Sequence, residues 1–187
     1  MRLPPNNEKQ QLRNFIKKEF QKYNAEELRT LSEHILKKIE QSEWFTNAKK
    51  IACYHSLPDE VNTVGFIEKW ALEKEIYLPV ILDDSRMELR RFNSNEQLSY
   101  NQYYILEPIN GNYCNNNEIE LFLVPGVAFD KSLRRLGRGK GYYDSLLAGV
   151  KGKKVGLCFD FQLLDSLPYN EYDVAMDAVI TSSLLQK

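Results

Sequence analysis

The sequence is poor in the residues that hold metals through nitrogen and sulfur. It contains two histidines and three cysteines in 187 residues, and they are not grouped in the close pairs that a zinc site needs. The odd number and wide spacing of the cysteines argue against a disulfide framework. Cys53 and Cys158 lie within apolar runs, which indicates small core residues.

Long apolar runs and a strong net charge are also missing. No stretch approaches the roughly 20 apolar residues that a membrane span requires, and the first residues lack the apolar core of a signal peptide. The formal net charge of −1 creates no global field for nucleic acid or an acidic membrane. We therefore expect a cytoplasmic protein that binds neither. Its length predicts one domain over residues 1–187.

The most informative stretch runs from residue 120 to 148. An apolar run ends at Pro125-Gly126, and a glycine-punctuated polar loop precedes a second apolar pattern, which predicts a strand, a loop and a helix beginning near Gly141. Five cations and three alternate glycines fall in the loop: Lys131, Arg134, Arg135, Arg138 and Lys140, with Gly137, Gly139 and Gly141. Glycines let backbone N–H groups approach an anion closely, and a helix N-terminus favours negative charge. The loop is therefore a candidate polyphosphate site.

Two common phosphate-binding motifs do not match this loop. A P-loop has glycine where this chain has Arg134 and Ser or Thr where it has Gly141. The alternate glycines also differ from the G-x-G-x-x-G fingerprint of dinucleotide-binding proteins. The simplest alternative is a solvated basic loop whose glycines only make turns. The density of cations and glycines at a strand-to-helix junction favours the phosphate site.

The same residues resemble the signature of the 5-formyltetrahydrofolate cyclo-ligase family. The matching segments are VPGVAFD, from Val124 to Asp130, and RLGRGKGYYD, from Arg135 to Asp144. The family usually has glycine where this chain has Leu133. If that position needs a positive φ, leucine is strained there or the turn is remodelled.

Apolar periodicity along the rest of the chain predicts strands that alternate with helices. Strands are predicted at about 50–55, 76–82, 87–92, 121–124, 153–159 and 178–181, and helices at about 8–23, 24–39 and 63–72. The first helix should bury Leu12, Phe15, Ile16, Phe20 and Tyr23. Residues 93–117, with eight asparagines and four tyrosines, predict a long surface excursion or lid. Together these patterns predict a single-domain α/β fold: a three-layer open sheet, mostly parallel, with helices on both faces.

Two further segments contribute candidate site residues. Lys9, Arg13 and Lys17 recur every fourth residue along the first helix, where a row of solvated cations is the common interpretation. Glu60 follows a predicted strand, and an isolated glutamate before a helix is typically a partner for the helix dipole. The resemblance implies instead that Lys9 and Arg13 contact ATP phosphates, and that Glu60 and His55 contact the folate.

The resemblance also assigns roles within the loop. It implies that ATP is bound by Arg135, Leu136, Gly137, Arg138, Gly139, Lys140, Gly141, Tyr142 and Tyr143, and that Arg138, Gly139, Lys140, Gly141 and Tyr142 also contact the folate substrate. Arg138 and Lys140 are the implied catalytic residues. Asp144 and Asp173 are the implied Mg²⁺ ligands, for which helix capping or surface solvation is the alternative.

The implied reaction uses ATP and Mg²⁺ to convert 5-formyltetrahydrofolate into 5,10-methenyltetrahydrofolate, with release of ADP and phosphate. The expected partners are therefore these two substrates, and the expected assembly is a monomer. Two other functions fit a phosphate loop. A small-metabolite kinase would transfer phosphate to a stable product, and a nucleotide- or RNA-binding regulator would use the loop without turnover, although the near-neutral charge disfavours the regulator.

Overall fold

A computed structural model describes residues 5–84, 86–102 and 104–186. The α-helices are α1 Pro5–Phe20, α2 Ala25–Glu40, α3 Glu43–Asn47, α4 Val64–Trp70 and α5 Tyr142–Leu147. The strands are β1 Lys50–Ala52, β2 Glu75–Ile81, β3 Met87–Arg91, β4 Leu98–Tyr100, β5 Leu106–Pro108, β6 Tyr113–Cys114, β7 Leu121–Val124, β8 Ala128–Asp130, β9 Arg135–Leu136, β10 Lys153–Leu157, β11 Leu163–Leu164, β12 Ala178–Ile180 and β13 Leu185–Gln186. None of the helices in these ranges is long and apolar enough to cross a bilayer.

An eight-stranded sheet forms the centre, in the order β13-β12-β10-β7-β1-β2-β3-β6. Its middle strands are parallel, because β1 pairs with β2 and β7 while β10 pairs with β7 and β12. Antiparallel strands complete both edges. The prediction of an open, mostly parallel sheet is confirmed.

Helices cover both faces of this sheet, as parallel strands require. On one face Ile51 and Leu123 belong to a buried cluster with Ile35 of α2 and Phe66 of α4. On the other face Phe122 packs in a cluster that contains Leu146 and Leu147 of α5. The alternation of side chains along each strand thus builds the predicted three layers.

Helix α2 begins as its sequence predicts. The side chain of Asn24 accepts the N–H of Glu27 at 3.0 Å, and the Glu27 carboxylate accepts the N–H of Asn24 at 2.8 Å. This reciprocal capping box satisfies two amides at the helix start. Ile35 and Ile39 are completely buried on the core face, and His34 is exposed on the other side.

Helix α1 departs from its prediction because it covers a smaller surface. Ile16 packs with Ala128 and Leu136 of a separate three-stranded sheet, in the order β11-β8-β9, rather than on the central sheet. The buried stripe is therefore narrow. Phe15 remains 47% exposed, which corrects its assignment to the core. The helix ends at Phe20, so Tyr23 lies beyond it and stacks on Phe161 with ring centroids 4.8 Å apart.

The segment from Asn93 to Asn117 is more regular than its composition indicates. Strands β4 and β5 form an antiparallel hairpin outside the central sheet, and β6 joins the sheet edge beside β3. The carboxylate of Glu107 ties the hairpin to the sheet, since its Oε1 accepts the N–H of Ile81 at 3.0 Å and the side-chain amide of Asn101 at 2.7 Å. The excursion is thus a short hairpin held against β2.

Candidate active site

A cavity of about 1050 Å³ opens beyond the carboxyl ends of β1 and β7. Ligands of open α/β sheets commonly bind at this position. The cavity is lined by every residue that the sequence suggested for ATP, folate or metal: Lys9, Arg13, His55, Glu60, Arg135, Leu136, Gly137, Arg138, Gly139, Lys140, Gly141, Tyr142, Tyr143, Asp144 and Asp173. Segments separated by more than 150 residues therefore meet around one space.

Helix α1 reaches two loops that line the cavity, the glycine-rich loop through Arg13 and the residue 170–174 loop through Lys9. Arg13 Nε donates to the carbonyl oxygen of Gly137 at 3.0 Å, and Lys9 Nζ lies 2.7 Å from Asp173 Oδ2. Gly139 has φ +104°, and a Cβ there would lie 3.3 Å from Arg13 Nη2. A side chain at this position would therefore be strained and would crowd the arginine.

The buried side chain of Arg135 stabilises the glycine-rich loop. Its side chain is 5% exposed, and Nη2 donates to Asp144 Oδ1 at 2.9 Å. The guanidinium carbon lies 5.4 Å from the ring centroid of Tyr143, within the range of a cation–π contact. The N–H of Val174 donates to the same Asp144 oxygen at 3.2 Å, which fixes the residue 170–174 loop beside α5.

The glycine-rich part of the loop, residues 137–141, carries two exposed cations with different surroundings. Arg138 Nη2 donates to Asp59 Oδ1 at 2.6 Å and to Glu60 Oε1 at 3.2 Å, across the cavity entrance. Lys140 lines the cavity without an ion-pair partner in the described part of the chain. One cation is thus anchored and the other is available to a ligand.

Burial shifts the pKa values of three groups that line the cavity. Desolvation raises the pKa of Glu60, although the N–H of Leu57, which donates to Glu60 Oε2 at 3.0 Å, and the nearby Arg138 oppose the rise. Burial lowers the pKa of His55, so its imidazole is neutral at pH 7. Burial also raises the pKa of Tyr143 well above its usual range, which keeps the phenol protonated.

Asp144 and Asp173 offer oxygens of the kind that Mg²⁺ prefers. The hydrogen bonds described above fall on Oδ1 of Asp144 and Oδ2 of Asp173, and the other oxygen of each carboxylate accepts none in the described chain. The two residues lie close because Val174 bonds to Asp144. Over residues 5–84, 86–102 and 104–186, no group of three or more His, Cys, Asp or Glu is arranged to hold a metal. Two carboxylates, which pair with Lys9 and Arg135, are fewer ligands than Mg²⁺ takes, so a cation here would need further ligands from phosphates or water.

Sequence reasoning missed the apolar wall of the cavity. This wall is formed by β2, β3 and the β4–β5 hairpin through Pro79, Ile81, Met87, Ile105, Leu106 and Glu107. Ile105, Leu106 and Glu107 fall in the segment that the sequence predicted as a surface excursion or lid, so they were not assigned to the site. The wall could not be found from periodicity, because its side chains come from three strands that the fold brings together. An apolar surface with one carboxylate suits a heteroaromatic ring.

Comparisons with a family profile and with individual known proteins identify the same family. The profile of the 5-formyltetrahydrofolate cyclo-ligase family matches residues 5–182. The 5-formyltetrahydrofolate cyclo-ligase of Haemophilus influenzae is 34% identical over 90% of this chain and 94% of its own length. A probable 5-formyltetrahydrofolate cyclo-ligase of Caenorhabditis elegans is 32% identical over 92% of this chain and 91% of its own.

Solved structures show the same likeness. The 5,10-methenyltetrahydrofolate synthetase of Aquifex aeolicus has a TM-score of 0.87 and 34% identity, over 96% of this chain and 92% of that protein. The Mycoplasma pneumoniae synthetase has a TM-score of 0.75 and 27% identity, over 93% of this chain and 98% of that protein. The chain therefore belongs to the 5-formyltetrahydrofolate cyclo-ligase family of enzymes.

Proposed function

We propose that this protein converts 5-formyltetrahydrofolate into 5,10-methenyltetrahydrofolate at the expense of ATP, with Mg²⁺ required. The observation that carries the proposal is the meeting of the glycine-rich cationic loop, the α1 cations and Glu60 around one cavity. At about 1050 Å³, the cavity is at the upper end of the range for ligand pockets, as a site for two substrates needs. The names of two relatives, the cyclo-ligase of Haemophilus influenzae and the methenyltetrahydrofolate synthetase of Aquifex aeolicus, support the same activity.

The chemistry follows from the weakness of the formyl oxygen as a leaving group. The γ-phosphoryl group of ATP passes to that oxygen, and ADP leaves. Nitrogen 10 of the folate then attacks the activated carbon and loses its proton, and the C–O bond breaks to release phosphate. No protein nucleophile is needed, so the residues act mainly by positioning and by charge stabilisation.

The nucleotide is proposed to lie along the glycine-rich loop. Residues 135–143 would surround the phosphates, with Lys9 and Arg13 reaching them from α1. This is supported by the bond of Arg13 to the carbonyl oxygen of Gly137, and by the ion pair of Lys9 with Asp173, another residue that lines the cavity. Arg138 and Lys140 would stabilise the charge of the transferred phosphoryl group and contact the folate at the junction of the two substrates.

The folate ring is proposed to lie between Glu60 and the apolar wall. A carboxylate can accept paired hydrogen bonds from the ring N–H and amino donors, and Glu60 lines the cavity with a side chain that is 11% exposed. His55, neutral at pH 7, would line the same part. Gly139, Gly141 and Tyr142 would complete the contact from the loop side.

Mg²⁺ is proposed to be held by Asp144 and Asp173 together with nucleotide phosphates and water. A bound Mg²⁺ neutralises phosphate charge and fixes the geometry of the transfer. The uncommitted carboxylate oxygens described above fit this role. We further propose that residues 1–187 act as one domain, as a monomer in the cytoplasm, without a nucleic acid or membrane partner.

The testing experiment follows the near-ultraviolet absorbance of methenyltetrahydrofolate when purified protein meets 5-formyltetrahydrofolate. ATP and Mg²⁺ are each omitted in turn, and free phosphate is measured in parallel. We expect the signal only when all components are present, with phosphate released in step. A phosphorylated metabolite without free phosphate would indicate a kinase instead. ATP binding by folded protein without any turnover would indicate a regulator.

A further inference from the structure

Arg138 is shared between two acidic neighbours, only one of which faces the cavity. Its Nη2 donates to Asp59 Oδ1 at 2.6 Å and to Glu60 Oε1 at 3.2 Å. The side chain of Glu60 is 11% exposed and lines the cavity. That of Asp59 is 51% exposed and lies outside the lining. The guanidinium thus connects a buried carboxylate inside the site with an exposed one at its rim.

The bond to Glu60 occupies an oxygen that the folate ring needs under the proposed function. Each oxygen of Glu60 accepts one hydrogen bond: Oε2 accepts the N–H of Leu57 at 3.0 Å, and Oε1 accepts Arg138 at the longer distance of 3.2 Å. A ring that donates to Glu60 must share or replace the bond from Arg138. Folate binding and the pairing of Arg138 with Glu60 therefore compete.

Asp59 influences this competition because it is the nearer partner. If the charge of Asp59 is removed, Arg138 keeps one acidic partner among the described residues, which is Glu60. A cation paired with a buried carboxylate is less screened by water than one paired with an exposed carboxylate. The remaining pair would then be closer, and the folate would have to break it.

We propose that Asp59 is a positioning residue, which anchors Arg138 at the rim and so keeps Glu60 Oε1 open to the folate ring. This inference rests on the proposed function and deepens it. Within the described residues, the ion pair of Asp59 is with Arg138 and not with Lys9, Arg13 or Lys140, the other cations assigned to the nucleotide. Loss of Asp59 should therefore weaken folate binding more than ATP binding.

The first test measures binding by titration calorimetry, so that no turnover is required. Asp59→Asn should weaken 5-formyltetrahydrofolate binding by about 3-fold, the scale of an exposed ion pair, and should change ATP binding less, since Lys9, Arg13 and Lys140 keep their surroundings. Asp59→Glu should restore binding, since it keeps the charge. Asp165→Asn is the matched control: Asp165 is also exposed, pairs with Lys131 at 2.6 Å and lies outside the cavity lining.

A thermodynamic cycle separates positioning from a structural effect. In an Arg138→Ala background, Asp59→Asn should have no further effect on folate binding, because its partner is gone. Raising the salt concentration to about 0.5 M should shrink the difference between wild type and Asp59→Asn, since the Debye length shortens. Wild-type affinity in Asp59→Asn, or equal weakening with and without Arg138, would overturn this inference alone. Failure of the wild type to bind 5-formyltetrahydrofolate would overturn the proposed function as well.

Discussion

Lys140 is the exposed cation whose role is easiest to isolate, because it has no ion-pair partner in the described chain to lose. If it stabilises the phosphoryl group during transfer, Lys140→Ala should lower kcat about 100-fold and change the KM for ATP little. The melting temperature should stay at the wild-type value. Steady-state kinetics check this, with Lys131→Ala as the control from the same loop, since Lys131 lies outside the cavity lining. Undiminished turnover would remove Lys140 from the mechanism.

The ionised side chain of Glu60 should lower the stability of the folded protein. Burial raises the pKa of Glu60 in the folded state, so folding favours the protonated carboxyl group. The contribution of this group to the free energy of unfolding is fully present below the unfolded pKa and is lost as pH rises through the folded pKa. Glutamine does not ionise, so Glu60→Gln avoids the cost of a buried charge at pH 7, and the variant should be more stable than wild type at that pH. The difference should vanish near pH 4 and below. Thermal unfolding across this pH range measures it, and a constant difference at every pH would contradict the assignment.

Leu133 occupies a backbone conformation that suits glycine. Its φ is +64°. It is the last of the three residues, 131–133, that are enclosed when the N–H of Asp130 donates to the carbonyl oxygen of Arg134 at 3.1 Å in the turn between β8 and β9. Hairpin loops of this length commonly have a left-handed residue there. The positive φ is the condition under which the sequence predicted either a strained leucine or a remodelled turn at this position.

The strain can be measured with two small substitutions, which remove the leucine side chain equally. Leu133→Gly should be more stable than Leu133→Ala by about 1 kcal/mol, because only alanine keeps the left-handed penalty. Urea unfolding compares the two variants directly. Equal stability would show that the turn relaxes when the leucine is removed.

At the scale of the element, Glu107 holds the β4–β5 hairpin against the sheet. Glu107→Ala leaves the N–H of Ile81 and the amide of Asn101 without their acceptor, at a cost of about 1 to 3 kcal/mol. Hydrogen exchange should therefore accelerate about tenfold or more in residues 98–108. Glu107→Gln is the matched control, because Oε1 can still accept both bonds. Equal exchange in all three proteins would mean that the hairpin is held by apolar packing alone.

The elements also show where sequence reasoning stops. The capping box of α2 and the apolar run of β7 are local patterns, so both were predicted. The β8–β9 hairpin inside the supposed loop was missed, because its strands have two or three residues each and show no periodicity. The Asp130 carboxylate holds the turn of that hairpin by accepting the N–H groups of Ser132 and Arg134, each at 2.9 Å. It also accepts the N–H of Leu167 at 2.8 Å, a long-range bond that a linear pattern cannot reveal.

At the scale of the whole molecule, the parallel sheet with helices on both faces followed from the alternation of patterns. The composition of the site also followed, because the cations and glycines are clustered in sequence. The ion pairs did not, since Lys9 meets Asp173 and Arg138 meets Asp59 only after the chain has folded. The apolar wall was hidden for the same reason.

The cavity joins segments from α1 to the loop at residues 170–174, so ligands should stabilise the fold as a unit. At 100 times its Kd, a ligand adds about 2.7 kcal/mol, which raises the Tm of a domain of this size by about 5 to 10 °C. We expect ATP with Mg²⁺ and 5-formyltetrahydrofolate each to produce this shift in one cooperative transition.

Glu60→Gln separates the two contributions. The variant should keep the rise in Tm with ATP and Mg²⁺ and lose most of the rise with 5-formyltetrahydrofolate, because only the folate is assigned to Glu60. Differential scanning calorimetry measures both shifts at saturating nucleotide and a fixed folate concentration. Loss of both shifts would mean that the substitution disturbs the whole cavity. A ligand that moved only part of a two-step transition would show that the segments around the cavity unfold separately, so that the site does not hold the two ends of the chain together.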